Sequence, residues 1–220
     1  MGDTFTRSQV FLMKRVLVLG GRGMLGHFVV RTLSGLKEIK IESTVSGDKD
    51  NPFYFNVENG VNQLHEIIKS HGNFDYVINC IGILSNNIEK SNSDSVRTAI
   101  LVTGLFPHDL VKFCNELGIR IIHISTDGVF SKSAGLCFED SLQFCEDIYG
   151  KTKSIGEGFA PELLNIRCSI IGPSPFKRNG IIEWFLKQPK GAEINGYTDH
   201  IWNGATTIQL ANLCYFLIIK

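Results

Sequence analysis

The chain has 220 residues, 43% of them hydrophobic, enough for one sizeable core and a small second lobe. Its 22 basic and 22 acidic residues cancel, so the charge balance points to neither a nucleic acid nor a membrane surface as partner. No apolar run approaches the roughly 20 residues that span a bilayer, and the opening MGDTFTRSQVFLMKR lacks the apolar length and cleavage site of a secretory signal. The expectation is a cytoplasmic chain with a frayed tail over residues 1–13. Cys80, Cys114, Cys137, Cys145, Cys168 and Cys214 show neither a CxxC pair nor a zinc-like spacing with the histidines. They read as free thiols in a reducing compartment, with no metal site expected.

In chain order, RVLVLGG (15–21) is an apolar run ending in glycines and predicts a buried strand, and MLGHFVVRTLSG (24–35) predicts a helix. IKIESTVSG alternates as a strand does, and FYFNV (53–57) predicts another. VNQLHEIIKSHG sets Val61, Leu64, Ile67 and Ile68 on one helical face, with Gly72 as a stop. FDYVINCIG (74–82) predicts a strand, LFPHDLVKFCNELG a helix, and IRIIHIST (119–126) the fifth strand. DIYGKTKSIGE (147–157) predicts a helix and LNIRCSIIG (164–172) a further strand. Near-continuous apolar strands alternating with helices predict an α/β, doubly wound parallel sheet covered on both faces. Such sheets bind ligands beyond the carboxyl ends of their strands, where residues 20–26, 79–82 and 125–127 fall. The domain reading is a Rossmann unit over 14–172 and a partial substrate lobe over 173–220.

GGRGMLG spaces Gly20, Gly23 and Gly26 three apart between the first strand and the first helix. Gly20 suits the tight turn, Gly23 the close approach of a pyrophosphate, and Gly26 the packing of helix on strand. The helix N-terminus would offer its free N–H groups to the phosphates. This predicts a dinucleotide site that includes Arg22, Met24 and Leu25. An acid about 20 residues past the loop would hold a ribose 2′-hydroxyl. The second strand ends instead in Ser46 and Gly47, with Asp48 and Lys49 just after. Arg22 and Lys49 either attend a 2′-phosphate or are solvated charges. The expected cofactor is NADP(H), with NAD(H) as the alternative.

Tyr149 and Lys153 lie four apart, on one helical face. Gly150 and Gly156 flank them, although glycine costs a helix interior about 0.8–1 kcal/mol relative to alanine. A neighbouring ammonium favours the phenolate of a tyrosine. Thr126 precedes Tyr149 by 23 residues, at the end of the fifth predicted strand. A hydroxyl, a phenol and an ammonium suit hydride reduction of a sugar ketone. The hydroxyl orients the carbonyl, the phenol protonates the forming alkoxide, and the lysine lowers the phenol's pKa while holding the nicotinamide ribose.

Glycines at this spacing resemble the short-chain dehydrogenase/reductase superfamily in its extended branch. STDGVF, YGKTKSIGE and NIRCSIIG resemble segments of dTDP-4-dehydrorhamnose reductases and related nucleotide-sugar 4-keto reductases. LFPHDLVKFCNELG and GIIEWFLKQ…GYTDHIWNGATTIQLA resemble a polysaccharide-biosynthesis branch of that group, and the resemblance spans residues 14–215. It implies that Thr126, Tyr149 and Lys153 are catalytic, with Ser125 the alternative hydroxyl and Asp127 facing the substrate. It implies cofactor contacts at Gly20, Gly23, Gly26, Asn56, Val57, Cys80, Ile81 and Gly82. Gly128 stands where rhamnose reductases usually have tyrosine, and Thr103 where many relatives have an asparagine of a proton relay. Such enzymes generally continue past the position of Lys220, which implies a reduced sugar-nucleotide pocket that a homodimeric neighbour could complete.

The reading that follows is an NAD(P)-dependent reductase of a nucleotide-linked 4-keto-6-deoxy sugar in cell-surface polysaccharide precursor synthesis. One rival is an epimerase or 4,6-dehydratase, although dehydratases usually carry Thr-Asp-Glu where this chain has Thr126, Asp127 and Gly128. The other is a non-catalytic, dinucleotide-binding regulatory subunit. His108 and His123 read as structural and His200 as an exposed loop residue. Trp184 and Trp202 read as core residues or as stacking platforms for a base or sugar.

Overall fold

The computed structural model describes residues 12–131, 133–198, 202 and 204–220; His200 and most of the expected N-terminal tail lie outside them. The apolar runs become β1 (Lys14–Leu19), β2 (Ile39–Ser43), β3 (Tyr76–Asn79), β4 (Arg120–Ile124) and β5 (Leu163–Ile166). All pair in parallel, in the order β2-β1-β3-β4-β5. Every residue of β3 is buried, as a sheet covered on both faces requires. On one face α2 (Asn62–His71) and α4 (Phe106–Glu116) pack Leu64, Ile67, Phe106 and Leu110 against Leu17, Leu19, Val77 and Ile121. On the other, α1 (Met24–Leu33) and α7 (Thr207–Ile219) bring Leu25, Val29, Leu210 and Cys214 onto Val16, Val18, Ile78 and Ile122. The chain leaves β1 for β2 on one side and returns to β3 on the other, so a crevice opens where the two connections diverge.

Two expected strands differ. FYFNV forms a single parallel bridge, Val45 to Tyr54, rather than a strand. Its alternating aromatics are satisfied by packing instead: Phe55 meets Phe106 with ring centroids 5.6 Å apart, and Phe53 meets His71 at 4.3 Å. LNIRCSIIG divides, so that β5 joins the sheet while β6 (Ile170–Ile171) pairs with β7 (Ala205–Thr206). The break falls at Arg167, whose guanidinium turns to the Glu157 carboxylate.

The helix expected from Leu105 begins much earlier, as α3 (Ser93–Ala99) continued by a π-helical stretch, Ile100–Leu105, into α4. Asn92 caps α3 by accepting from the N–H groups of Asp94 and Ser95. Pro107 has no N–H to offer the Thr103 carbonyl four residues back, and the π-helical widening accommodates the misfit. That carbonyl lies against Gly156, just past α5 (Ile148–Ile155), where a Cβ would overlap it. A Cβ at Gly150 would likewise overlap the Gly128 carbonyl. The two glycines flanking Tyr149 and Lys153 thus bring α5 onto its neighbours' backbone. Among the described residues no helix is long and apolar enough to cross a membrane, and all six cysteines are free.

Alanine would improve the intrinsic helix propensity at position 150 by about 1 kcal/mol, but overpacking typically costs about 1–3 kcal/mol. Gly150→Ala should therefore lower the melting temperature in thermal denaturation. A raised melting temperature would contradict the close contact.

Candidate active site

A cleft of about 320 Å³ opens at the carboxyl ends of β1, β3 and β4. It is lined by Gly23, Met24 and Leu25 after β1, Cys80, Ile81 and Gly82 after β3, Ser125 and Thr126 after β4, and Tyr149 and Lys153 on α5. Gly20 shapes the first of these loops from beneath. Its φ is +83°, in the left-handed region, and its N–H donates to Thr44 Oγ1 at 3.1 Å. The Gly20 carbonyl accepts from Gly23 N–H at 2.8 Å. A Cβ at Gly26 would overlap that carbonyl, so the helix start is pressed against the turn.

Other expected contacts fall outside the cleft. Asn56 accepts from Glu58 N–H at 3.2 Å and caps a short 3₁₀ turn, and Val57 packs into the core. The resemblance implied cofactor contacts at both, and neither is among the residues lining the cleft. Arg22 is half-exposed, with Nη2 at 4.0 Å from the Asp48 carboxylate. An acid thus meets the arginine just after β2, where none was expected to be well placed. Asp127 starts the turn after Thr126 and accepts from Thr126 Oγ1 at 3.2 Å, while Gly128 N–H donates to the same hydroxyl at 3.1 Å.

Lys153 is 5% exposed, and its Nζ donates to the Ile124 carbonyl at 2.8 Å. Burial lowers its pKa to about 8, against the opposing pull of Cys80, Cys168 and Glu157. A Cβ at Gly82 would come within 3.3 Å of Nζ, so glycine keeps the space beside the ammonium open. Burial pushes the Tyr149 phenol above its ordinary value, its hydrogen bond with Thr126 draws it partly back, and Asp127 raises it further. The groups that set it are burial, Thr126 and the nearby acids, while the Lys153 ammonium is turned to the Ile124 carbonyl. The phenol is therefore protonated at neutral pH and is poised as an acid. The nearby thiols are pushed up by burial, Cys168 to about 11.

The choice between Ser125 and Thr126 has a geometric answer. Ser125 Oγ donates to the Glu157 carboxylate, which is ion-paired to Arg167 at 2.8 Å and accepts from Gln143 Nε2 at 2.7 Å. With its hydroxyl committed to this buried network, Ser125 leaves Thr126 as the hydroxyl that acts on the phenol. His108 contacts the Ile155 carbonyl through Nε2 at 2.6 Å. His123 Nδ1 accepts from Asn79 Nδ2 at 3.1 Å, and burial lowers its pKa to about 3, so the ring is neutral. Asn79 also accepts from Ile81 N–H at 3.1 Å, tying the loop after β3 to this pair. Trp184 and Trp202 are half-exposed and line neither core nor cleft. Thr103 is buried, and its hydroxyl has no partner among the described residues.

The opposite wall of the cleft was missed. It includes Ser174, Lys177 and Asn179, on residues 173–180 between β6 and α6 (Ile181–Leu186). The polar run KRNG just before a helix was the available signal, but nothing in its spacing says that the segment folds back over the first glycine loop.

Residues 13–171 match the family model described as the RmlD substrate binding domain. The chain is 29% identical over 161 residues to a probable low-salt glycan biosynthesis reductase, Agl14, of Haloferax volcanii, covering 70% of this chain and 52% of that protein. It is 28% identical over 151 residues to a dTDP-4-keto-6-deoxy-D-glucose reductase of Streptomyces niveus, covering 68% and 48%. The chain spans about half the length of the curated relatives it matches. A solved dTDP-4-dehydrorhamnose reductase of Bacillus anthracis, in complex with NADP, shares the fold at a TM-score of 0.79 and 20% identity, over 94% of this chain and 71% of that one. The matched family segment holds the glycine loop, Thr126, Tyr149 and Lys153 together, and the chain belongs to the RmlD substrate-binding domain family.

Proposed function

We propose that the chain is an NAD(P)-dependent reductase of a nucleotide-linked 4-keto-6-deoxy sugar, serving cell-surface polysaccharide precursor synthesis. The observation that carries this reading is that Thr126, Tyr149 and Lys153 share one cleft with the glycine loop. The relatives named as reductases support it. The loop fits a dinucleotide, since the left-handed turn at Gly20 and the bare backbone at Gly23 and Gly82 leave a cradle that side chains would fill. Arg22 and Lys49 favour NADP(H), and Asp48 beside Arg22 keeps NAD(H) as the alternative. The proposed setting is the cytoplasm, where free thiols stay reduced. The proposed assembly is a homodimer, in which the half-exposed Ile100, Leu105 and Ile155 would be covered.

When bound, the reduced nicotinamide supplies a hydride. The chain's residues supply the rest. Thr126 orients the sugar carbonyl by a hydrogen bond, and Tyr149 gives its phenolic proton to the carbonyl oxygen as the carbon is reduced. Lys153, with its ammonium fixed by the Ile124 carbonyl and the space beside it kept open at Gly82, holds a ribose hydroxyl. Position 128 sits beside this pair, since a Cβ there would lie 3.3 Å from Thr126 Oγ1 and 3.9 Å from the Tyr149 ring. Glycine there leaves no acid for elimination, which favours the reductase over a dehydratase.

Tyr149→Phe removes only the hydroxyl. NADPH binding should persist, while NADPH oxidation with 4-keto sugar nucleotides falls roughly 10²–10⁴-fold. Full activity in the variant would overturn the assignment. Failure of the wild-type chain, while binding NADPH, to turn over any 4-keto sugar nucleotide would favour a regulatory binding subunit.

The buried lysine also predicts a pH dependence. Its folded pKa of about 8 lies below the ordinary 10.5, so between these values the unfolded chain binds more protons and wild-type stability rises with pH. Measured against wild type, Lys153→Met should therefore lose relative stability as pH rises from about 8 to about 10. A melting-temperature difference that stays constant across that range would contradict a buried ammonium.

A further inference from the structure

We infer that residues 174–180 form a clasp over the diphosphate of the bound dinucleotide, with Lys177 as its counter-charge. The inference rests on the dinucleotide reading above and adds a residue and a loop to it. Glu183, in the first turn of α6, ties the two ends of this segment together. Its carboxylate accepts from Ser174 N–H and, at 3.1 Å, from Gly180 N–H. Between them Arg178 N–H donates to the Ser174 carbonyl at 2.8 Å. Arg178 has a φ of +49°, a left-handed conformation uncommon outside glycine. That reversal divides the side chains between two surfaces. Lys177 and Asn179 line the main cleft, whereas Pro175 and Arg178 line a separate hollow with Leu186 and Lys187.

The loop also has a defined position over the site. The Phe176 ring meets His27 of α1 edge to face, with centroids 5.4 Å apart and planes at 78°. His27 lies one helical turn beyond Gly23, and its N–H donates to the Gly23 carbonyl at 3.0 Å. Lys177, next to Phe176, lines the same cleft as Gly23 and Met24.

Charge then identifies the ligand chemistry. Among the described residues that line the cleft, Lys153 and Lys177 carry the charged side chains and none is Asp or Glu. Lys153 is committed to the Ile124 carbonyl deep in the site. A diphosphate diester carries two negative charges, and Lys177 is the cation placed to meet them where the glycine loop ends. Both a dinucleotide and a nucleotide sugar contain such a diphosphate. The Phe176–His27 contact favours the dinucleotide, because it sets this segment against the helix that follows the glycine loop.

Calorimetric titration of the full chain tests this. Lys177 is exposed, so Lys177→Gln should leave the melting temperature unchanged. It should weaken NADPH about tenfold, the scale of one charge-assisted hydrogen bond. Adenosine 2′-monophosphate, which keeps the 2′-phosphate but has no phosphate at the 5′ position, should bind both forms equally. Arg178→Gln, which removes a neighbouring charge on the far side of the loop, should leave NADPH affinity unchanged. Unchanged NADPH affinity in Lys177→Gln, with binding abolished in Gly23→Val, would overturn the clasp and leave the dinucleotide site standing. A loss confined to UDP or dTDP would assign Lys177 to the substrate and overturn the cofactor assignment. Failure of the wild-type chain to bind either NADPH or NADH would overturn the dinucleotide reading itself, and the clasp with it.

Discussion

A lysine ammonium buried at the end of a strand is the constraint around which this site is organised. Removing a charge from water is expensive unless polar groups replace the lost hydration. For Lys153 the replacement is the Ile124 carbonyl at 2.8 Å, which the sheet leaves free where β4 ends. Reaching it requires α5 to lie close to the sheet and to the helix before it. That approach explains Gly150 against the Gly128 carbonyl, and Gly156 against the Thr103 carbonyl, to which Pro107 has no N–H to offer. It also explains Gly82, since a side chain there would crowd Nζ. Glycines in a helix, a proline after a π-helical stretch and a glycine past β3 thus answer to one buried charge.

The same geometry divides the work among neighbouring hydroxyls. With the ammonium turned to the strand end, the Tyr149 phenol is set by burial and by Thr126 and remains an acid. Ser125 looks interchangeable with Thr126 in sequence, yet it is drawn into the Glu157–Arg167–Gln143 network beneath the cleft. Arg167 is also where LNIRCSIIG ceases to be one strand, so the network that fixes the floor of the site also redirects the chain toward the opposite wall.

Much of this was legible from residues alone where one physical requirement dominated. The strands β1, β3 and β4 are apolar runs because both of their faces are covered, and the glycine loop follows the first of them at a spacing that serves a turn and a close helix. Tyr149 and Lys153 share a helical face by spacing. Legibility failed where distant contacts replaced local pattern. FYFNV alternates like a strand, but its aromatics find Phe106 and His71, and one bridge suffices. The segment 93–104 carries a cap at Asn92 but too little apolar periodicity to announce a helix running through a π-helical stretch. Asn56 and Val57 were carried over by resemblance, and the turn they form uses Asn56 for capping and Val57 for core packing, local roles that their spacing does not announce. The wall bearing Lys177 depends on a left-handed residue, a carboxylate bridge and a ring contact with α1, none of which is encoded by spacing.

The central claim is that the cleft directs a hydride to a sugar carbon while the chain provides the proton. Following the isotope is its most direct test. With NADPH deuterated at the transferable C4 position of the nicotinamide and a nucleotide-linked 4-keto-6-deoxy sugar, the account predicts deuterium at C4 of the sugar, retained in the product and visible by NMR. A reduced product without that label, or NADPH binding with no label ever reaching a sugar, would contradict it.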